Sequence, residues 1–500
     1  MSLKSIAALL FAKHATRQIN KWASTPVQTQ ERVFKQLISA AKNTAFGKDH
    51  EFNTISCHRE FIKKVPIRDY EALRPYVDRV VAGEKDILWP GKPLYFAKTS
   101  GTTSGAKYIP LTKESMPTHI KAARNAILCY INQTKKAAFV DGKMIFLQGS
   151  PEMTTQNGIG LGRLSGIVAH YVPKYLLKNR LPSWQTNCIE DWETKVDAIV
   201  QETKAENMTV ISGIPPWVQM YFEKLTQVTG KKTGDLFKNF ELFIYGGVNF
   251  EPYRAKFEAL IGRKVPSIEL FPASEGFFAF QDSQHDKGML LQLDGGIFYE
   301  FVVADDFFKE NPKRLTISQV ELGVNYVLLI STNAGLWGYN IGDTVEFTSL
   351  MPYRVIVTGR IKHYISAFGE HVIAKEVETA MKQAMESFNF SISEFTVAPQ
   401  TNPKPGELAY HEWFIEFEDA RDNLPEIAQK LDSELQSQNS YYKDLLDGSM
   451  LQQLKISPLE KGAFQGYMKS QGKLGGQNKV PRLSNDRKIA DKLAIFKLKT

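Results

Sequence analysis

Cysteine is nearly missing: Cys57, Cys129 and Cys188 are the only three in 500 residues, and none sits in a C-x-x-C spacing. This argues against a disulfide framework and a zinc cluster, and it points to a reducing, cytoplasmic compartment. No run of about 20 apolar residues occurs, so no segment is expected to span a membrane. The short apolar run SIAALLFA after Lys4 lacks a cleavage site and leads into a polar stretch, which reads as an amphipathic helix. Familiar site signatures are missing too. A phosphate loop of the Walker kind fails because Ala106 stands where its second glycine belongs and Tyr108 follows Lys107. The glycines of GIGLGRLSG, from Gly158 to Gly166, miss the dinucleotide register and read as a backbone turn. Without H-E-x-x-H or G-x-S-x-G, zinc and serine hydrolases lose their usual anchors. Repeats and low-complexity tracts are absent, and 43% hydrophobic content excludes a disordered chain.

An acidic excess is lacking as well. The net charge is +8, and residues 451–500 hold eleven Lys or Arg against three acids, so the other 450 residues sum to zero. Three readings stay open for this tail: a grip on nucleic acid, a solvated basic face, or a small domain bringing cations to a polyanionic ligand. Its aromatics are few (Phe464, Tyr467, Phe496), which weighs against stacking on single-stranded bases.

Hydrophobic periodicity supplies the architecture. Residues 28–46 place Val33, Phe34, Leu37, Ile38 and Ala41 on one helical face. Helices are also predicted over 65–88, with Pro66 near the start and Gly83 as the stop, and over 114–133. KMIFLQGS, MTVISGIP and FELFIYGGVNF read as strands running into turns, with the helical PWVQMYFEKLTQV after the second. This is α/β layering with ligand loops at strand ends. PSIELFPASEGFFAF, GIFYEFVVA and NYVLLISTNAGLWGYNIGDTVEF add strands, giving a mixed α/β fold. After Pro352 the pattern becomes strand, Gly-Arg turn, strand and a helix from about Ala374. We therefore expect a hinge between Pro352 and Ile361, separating a large α/β domain, 1–355, from a smaller α+β domain, 356–500.

The stretch YFAKTSGTTSGAKYIPLT, from Tyr95 to Thr112, gathers five Ser and Thr hydroxyls (Thr99, Ser100, Thr102, Thr103 and Ser104) and two glycines just ahead of Lys107. Bare backbone N–H groups, hydroxyl donors and a cation suit a nucleotide phosphate. Two further signatures follow, FPASEG (Phe271 to Gly276) and YNIGD (Tyr339 to Asp343). Each alone is most often a solvated loop or a helix cap. Their order, followed by a Gly-Arg hinge and a lysine-rich tail, resembles the adenylate-forming enzymes: acyl-CoA synthetases, peptide-synthetase adenylation domains and luciferases. Within that superfamily the chain is most similar to the acyl acid amido synthetases of the auxin-responsive promoter, or Gretchen Hagen, family. KTSGTTSGAKYIPLT, FPASEG, YNIGDTVEF and GQNKVPRL carry the resemblance, with TAFGKDHEF and VPIRDYEALRPYV in the leader, so that it extends from about Val33 to Arg482. Thr99 replaces a more usual serine, Phe271-Pro272-Ala273 replaces a Tyr-Gly-Ser or Tyr-Ala-Ser run, and TGRIKHYISAFGEHV looks closer to the acyl-CoA synthetase hinge. The nucleotide chemistry carries over; the substrate identity does not.

The resemblance implies a set of roles. Thr99, Ser100, Gly101, Thr102 and Thr103 would cradle the ATP phosphates, and Lys107 would either cap pyrophosphate or remain a solvated loop lysine. Glu275 would bind Mg2+, with Ala273 and Ser274 beside the acyl-adenylate. Tyr339 and Asp343 would border the nucleotide, Asp343 accepting hydrogen bonds from the ribose hydroxyls, and Arg360 would reach the same ribose. Gly246 and Gly247 would lie against adenine or be a plain strand-end turn. Lys479, with Lys473 as rival, would be the mobile catalytic cation of the small domain. None of His119, His170, His285, His363 and His371 has a motif that marks it as a general base. The acid pocket is expected to draw on Leu161 to Val172, SGIPPW and Phe277 to Phe280. The expected partners are a carboxylic acid and an amine or amino acid, with ATP and Mg2+, and neither nucleic acid nor a membrane. Transfer to a thiol such as coenzyme A, and a non-catalytic nucleic-acid-binding protein, are the competing functions.

Overall fold

The computed structural model describes residues 2–99, 107–172, 177–361, 364–365, 367, 370, 372–404, 407–447, 450–474 and 479–498. The chain forms two units, Met1–Val248 with Lys264–Ile356, and Asn249–Arg263 with Val357–Thr500. The second unit thus includes a short excursion from the middle of the chain, which local periodicity does not announce.

In the first unit an eleven-stranded sheet dominates. Its order is Ile297–Val303, Asn325–Thr332, Tyr339–Leu350, Tyr353–Arg360, Met289–Leu291, Gly276–Phe280, Ser267–Ala273, Leu242–Gly246, Met208–Ser212, Lys143–Phe146, Arg180–Leu181. From Ser267–Ala273 to Arg180–Leu181 successive neighbours are parallel, whereas Ser267–Ala273 and Gly276–Phe280 form an antiparallel hairpin. The sheet therefore changes character at the Ser274-Glu275 turn. Its parallel strands read as unbroken apolar runs because both faces are covered: Met208, Val210, Ile211 and Leu242 are fully buried. A second sheet has the order Lys107–Leu111, Tyr95–Thr99, Ile159–Gly162, Thr154–Gln156.

Four local expectations are corrected. The helix expected over 28–46 is split into Pro26–Ala41 and Ala45–Asp49, with Thr44 capping the second by accepting from the Gly47 N–H at 3.0 Å. Gly47 packs so tightly that a β-carbon would lie 2.1 Å from the Ala41 carbonyl oxygen. The glycine run at 158–166 is not one turn. Only Asn157 and Gly158, with φ of +50° and +77°, turn; Ile159–Gly162 is a strand and Leu164–Ala169 a helix. A side chain at Gly160 would strike the Tyr95 ring at 2.7 Å, which explains a glycine inside that strand. Finally, Gly359 and Arg360 end the strand Tyr353–Arg360 and do not form its turn. Elsewhere the helix expected from near Pro66 to Gly83 stops where expected but starts later, Tyr70–Val81, because Asp69 caps it by accepting from the Ala72 N–H at 3.1 Å.

The apolar run near the N-terminus is the helix Leu3–Ala23. Among the described residues no helix is long and apolar enough to cross a membrane.

The second unit has a three-stranded sheet, Ile392–Gln400, Tyr410–Phe417 and Lys455–Pro458, with helices Ala374–Phe388 and Leu424–Gln438 packed together. Its core includes fully buried Phe395 and Trp413, stacked at 5.7 Å between centroids. The basic tail belongs to this unit and neutralises it. Residues 357–450 hold eight Lys or Arg against sixteen Asp or Glu, a net charge of −8 that matches the +8 of residues 451–500. Arg487 pairs with Glu412 at 2.7 Å, Lys497 with the same carboxylate at 2.5 Å, and Lys455 with Glu407 at 3.2 Å. Glu412 is 4% exposed, so these cations prevent an unpaired buried charge.

Candidate active site

Four parallel strands end side by side, in the register Phe146 with Ser212, Ser212 with Ile244 and Gly246 with Leu270. Past their carboxyl ends come Gln148 and Gly149, Gly213, Gly246 and Gly247, and Ser274 and Glu275. Open α/β sheets hold ligands at such an edge, where converging backbone and loops form a crevice. Two of these glycines are required by close approach. A β-carbon on Gly246 would sit 2.5 Å from the Leu270 carbonyl oxygen and 3.3 Å from Pro272 Cδ, while Gly247 has φ +85°. Gly246 is half-buried and Gly247 exposed, so this strand ends in backbone without side chains. Ser274 is buried and Glu275 half-buried in the two-residue turn beside it. The structure therefore brings Gly246, Gly247, Ala273, Ser274 and Glu275 to one edge.

The hydroxyl-rich loop spans a hairpin whose last described pair is Thr99 with Lys107. Ser100, Gly101, Thr102 and Thr103 lie outside the described residues. The hairpin's base is braced by Tyr70. The Tyr108 N–H donates to the Tyr70 hydroxyl at 2.9 Å, and the Lys107 ammonium stands 5.5 Å from the Tyr70 ring centroid, within cation–π range. Burial pushes the Tyr70 hydroxyl above its usual pKa, so it stays a neutral acceptor. The sequence reading missed Tyr70, since a tyrosine on a separate helix carries no local signal.

This small sheet meets the carboxyl edge at Arg163. The strand Ile159–Gly162 runs parallel to Tyr95–Ala97 and delivers Arg163, whose guanidinium lies close over Gly149: a β-carbon there would be 3.1 Å from Nη1. Arg163 is exposed. Beside it, the Gln148 amide oxygen accepts from Arg180 Nη2 at 2.7 Å while its nitrogen donates to the Ser165 carbonyl at 3.3 Å. Arg163 belongs to the stretch Leu161 to Val172 that the sequence offers as acid-pocket lining, whereas Gln148 is passed over by motif reading, because its signal is spatial. Of the expected acid-pocket residues, Phe277 to Phe280 are buried in the main core.

Tyr339 and Asp343 open the strand Tyr339–Leu350. Leu329 pairs with Asn340 and Val327 with Thr344, so Ile341, Gly342 and Asp343 face the single residue Leu328. This is a bulge, a device that re-aims side chains. Gly342 takes φ +87° and donates its N–H to the Asn340 side-chain oxygen at 2.8 Å. Tyr339 is 1% exposed and Asp343 half-buried, so solvent reaches the aspartate.

In the second unit, Arg360 ends its strand and Lys479 is exposed. The backbone just past Lys479 is fastened. Thr396 Oγ1 donates to the Pro481 carbonyl at 2.7 Å, the Val397 N–H to the Arg482 carbonyl at 2.9 Å, and the Ser484 N–H to the Val397 carbonyl at 3.0 Å. Arg482 itself is 9% exposed and pairs with Glu378 at 3.0 Å, with Glu394, and with the Tyr253 hydroxyl at 2.8 Å. Burial alone would lower its pKa, but the facing Glu394, Tyr253 and Glu378 raise it well above the usual value. Lys473, the rival cation, is also exposed, its N–H donating to the Met468 carbonyl at 2.9 Å.

Metal chemistry fits one of these residues only as a single carboxylate. Among the described residues no group of three or more His, Cys, Asp or Glu is placed to hold a metal ion. Mg2+ characteristically takes one or two carboxylates and completes its shell with phosphate and water, so Glu275 suffices for such an ion. Of the histidines, His119 is buried with its pKa lowered to about 4 by desolvation, His170 contacts the Pro151 carbonyl at 3.0 Å, and His285 is exposed. His363 and His371 lie outside the described residues.

Comparison with known proteins agrees with this geometry. The GH3 family N-terminal domain matches residues 15–190, its central domain 290–360 and its C-terminal domain 375–488. The indole-3-acetic acid-amido synthetase GH3.4 of Arabidopsis thaliana is 21% identical, over 95% of this chain and 91% of its own. The jasmonoyl–L-amino acid synthetase JAR4 of Nicotiana attenuata is 21% identical over 81% of each. A solved GH3.15 acyl acid amido synthetase in complex with 2,4-DB superposes with TM-score 0.79 at 16% identity, covering 98% of this chain and 96% of the other. A 2-hydroxyisobutyryl-CoA ligase in complex with 2-HIB-AMP reaches TM-score 0.60 at 11% identity over 93% and 90%. The fold is that of the adenylate-forming ligases, and the chain belongs to the GH3 family.

Proposed function

We propose that this protein is an ATP-dependent acyl acid amido synthetase of the cytoplasm: it adenylates a carboxylic acid, releasing pyrophosphate, and then passes the acyl group to an amino acid or other amine, releasing AMP. The observation that carries the reading is the carboxyl edge, where Gly246, next to Gly247, packs against Leu270 and Pro272 of the strand that runs into the Ser274-Glu275 turn. Adenine lies against the glycine surface and Asp343 accepts from the ribose hydroxyls, each charged hydrogen bond being worth about 1.5 to 3 kcal/mol. Arg360 reaches the same ribose. The phosphates are the role we assign to the hydroxyl-rich segment Thr99 to Thr103 and to Lys107, since donors at that place stabilise the charge that develops on the leaving group. Glu275 would hold Mg2+, which would supply charge neutralisation at the phosphates. Lys479 adds a cation during adenylation. Arg163, an exposed guanidinium beside the edge, suits the carboxylate of the acid.

The amine then attacks the acyl carbonyl and AMP departs with the electron pair of the broken anhydride bond. A thiol acceptor is the second reading, favoured by the similarity of TGRIKHYISAFGEHV to the acyl-CoA synthetase hinge. Pyrophosphate release, screened over aryl and aliphatic acids with pools of amino acids, tests the first half-reaction. Product mass with amines or coenzyme A then separates the two acceptors. Absence of acid-dependent pyrophosphate release would overturn the proposal.

A further inference from the structure

The helix Leu3–Ala23 has two unlike faces. Ser5, Ala12, Ala15, Ile19 and Trp22 are buried. On the opposite side Leu3, Ile6, Leu10, Lys13, Arg17 and Lys21 recur every three or four residues, so they form one stripe along the helix. Its first half is aliphatic and open to solvent: Leu3 is 87% exposed, Ile6 45% and Leu10 68%. Its second half is cationic and exposed, and no acid occurs before Glu31. The helix start is pinned, since Ser2 caps it and donates to Asp141 at 2.6 Å, and Ser5 donates to the same carboxylate at 2.8 Å. The aliphatic side chains are therefore held outward by a fixed helix.

We infer that this stripe docks the protein on an anionic lipid bilayer. Leu3, Ile6 and Leu10 enter the headgroup boundary, while Lys13, Arg17 and Lys21 stay among the lipid phosphates, the division of labour of an interfacial amphipathic helix. Charge selects the occupant. A second copy of the chain is a poor fit, because paired antiparallel the stripe sets aliphatics against cations, and paired parallel it sets cations against cations. A negatively charged, deformable surface matches both halves together. The helix lies on the membrane and does not cross it. The docking is independent of the proposed ligase activity.

Vesicle flotation of the full chain tests this. The wild type is expected to float with vesicles of phosphatidylglycerol and phosphatidylcholine in equal parts, and to stay behind with phosphatidylcholine alone. Each interfacial cation contributes about fivefold in partitioning, so Lys13→Gln, Arg17→Gln and Lys21→Gln together should weaken binding about a hundredfold. Leu3→Ser, Ile6→Ser and Leu10→Ser together should weaken it at least about tenfold. These side chains are exposed, and unchanged thermal melting confirms that the variants fold. Failure of the wild type to float, equal flotation with neutral vesicles, or wild-type binding by either triple variant would overturn the inference. So would a lipid-free dimer in sedimentation that the triple serine variant abolishes, since that assigns the stripe to a second copy.

Discussion

Replacing Gly246 by alanine should damage the edge proposed to hold the nucleotide while leaving the protein folded. The added β-carbon would lie 2.5 Å from the Leu270 carbonyl oxygen, whereas real β-carbons essentially never come closer than 3.0 Å. Neither neighbour can yield by rotating a side chain: one is backbone and the next, Pro272 Cδ at 3.3 Å, is a ring atom. The strand Ser267–Ala273 must therefore shift by roughly half an ångström or more, and it carries Ala273, Ser274 and Glu275 with it. Overpacking of this kind costs about 1 to 3 kcal/mol, a fall in melting temperature of several degrees. Misplacement of positioning groups by about an ångström costs about a hundredfold in rate. The matched control is Gly230→Ala. Gly230 has φ +68° and nothing within 4 Å of where a β-carbon would stand, so alanine there adds only backbone strain of about 1 to 2 kcal/mol, far from the edge. Both variants should melt lower, and only Gly246→Ala should lose acid-dependent pyrophosphate release. Release at the wild-type rate by Gly246→Ala, or equal losses in both variants, would refute the assignment of this edge to the nucleotide.

Other expectations are as direct. Glu275→Gln should abolish pyrophosphate release at an unchanged melting temperature, and normal release would remove Glu275 from the metal role. Lys479→Ala should slow adenylation about a hundredfold yet spare amide formation from a supplied acyl-adenylate, because the neutral amine needs no extra cation. Equal slowing of both steps would reduce Lys479 to a structural part, and the same selective loss in Lys473→Ala alone would move the role there. His119 has a folded pKa of about 4 against 6.5 unfolded, so it contributes stability in full above pH 6.5 and loses it as the pH falls toward 4. Between pH 7 and 5 the loss is about 2 kcal/mol, which urea titrations of the wild type should show and His119→Gln should lack.

Much of the site could be read from local pattern. Strands ending in glycine, the FPASEG hairpin and the YNIGD segment each announce themselves within a dozen residues, because turn and bulge geometry depends on the residues that form it. What stayed hidden depends on distant partners. Tyr70 supports Tyr108 and Lys107 from another helix, and Arg163 meets Gly149 only after two sheets assemble. That Lys455, Arg487 and Lys497 of the basic tail answer Glu407 and Glu412 was also hidden, although the acid excess of residues 357–450 was countable all along. The chain's mid-sequence helix Glu251–Ile261 shows period and caps like any other, and nothing local tells which unit it joins.

That helix limits how the protein can be divided. Its Tyr253 hydroxyl donates to Glu394, and Lys256 pairs with Glu418 at 2.5 Å, so the second unit is incomplete without residues from the middle of the chain. A fragment beginning at Val357 would deprive each of those half-buried carboxylates of one partner. Proteolytic cleavage at the junction of Ile356 and Val357 would not release the unit either, since the peptide links at 248–249 and 263–264 still hold the helix to the other unit. Gene fusion, domain exchange or circular permutation by a single cut therefore has no clean seam here, and exchanging the second unit between relatives would require two segments to travel together.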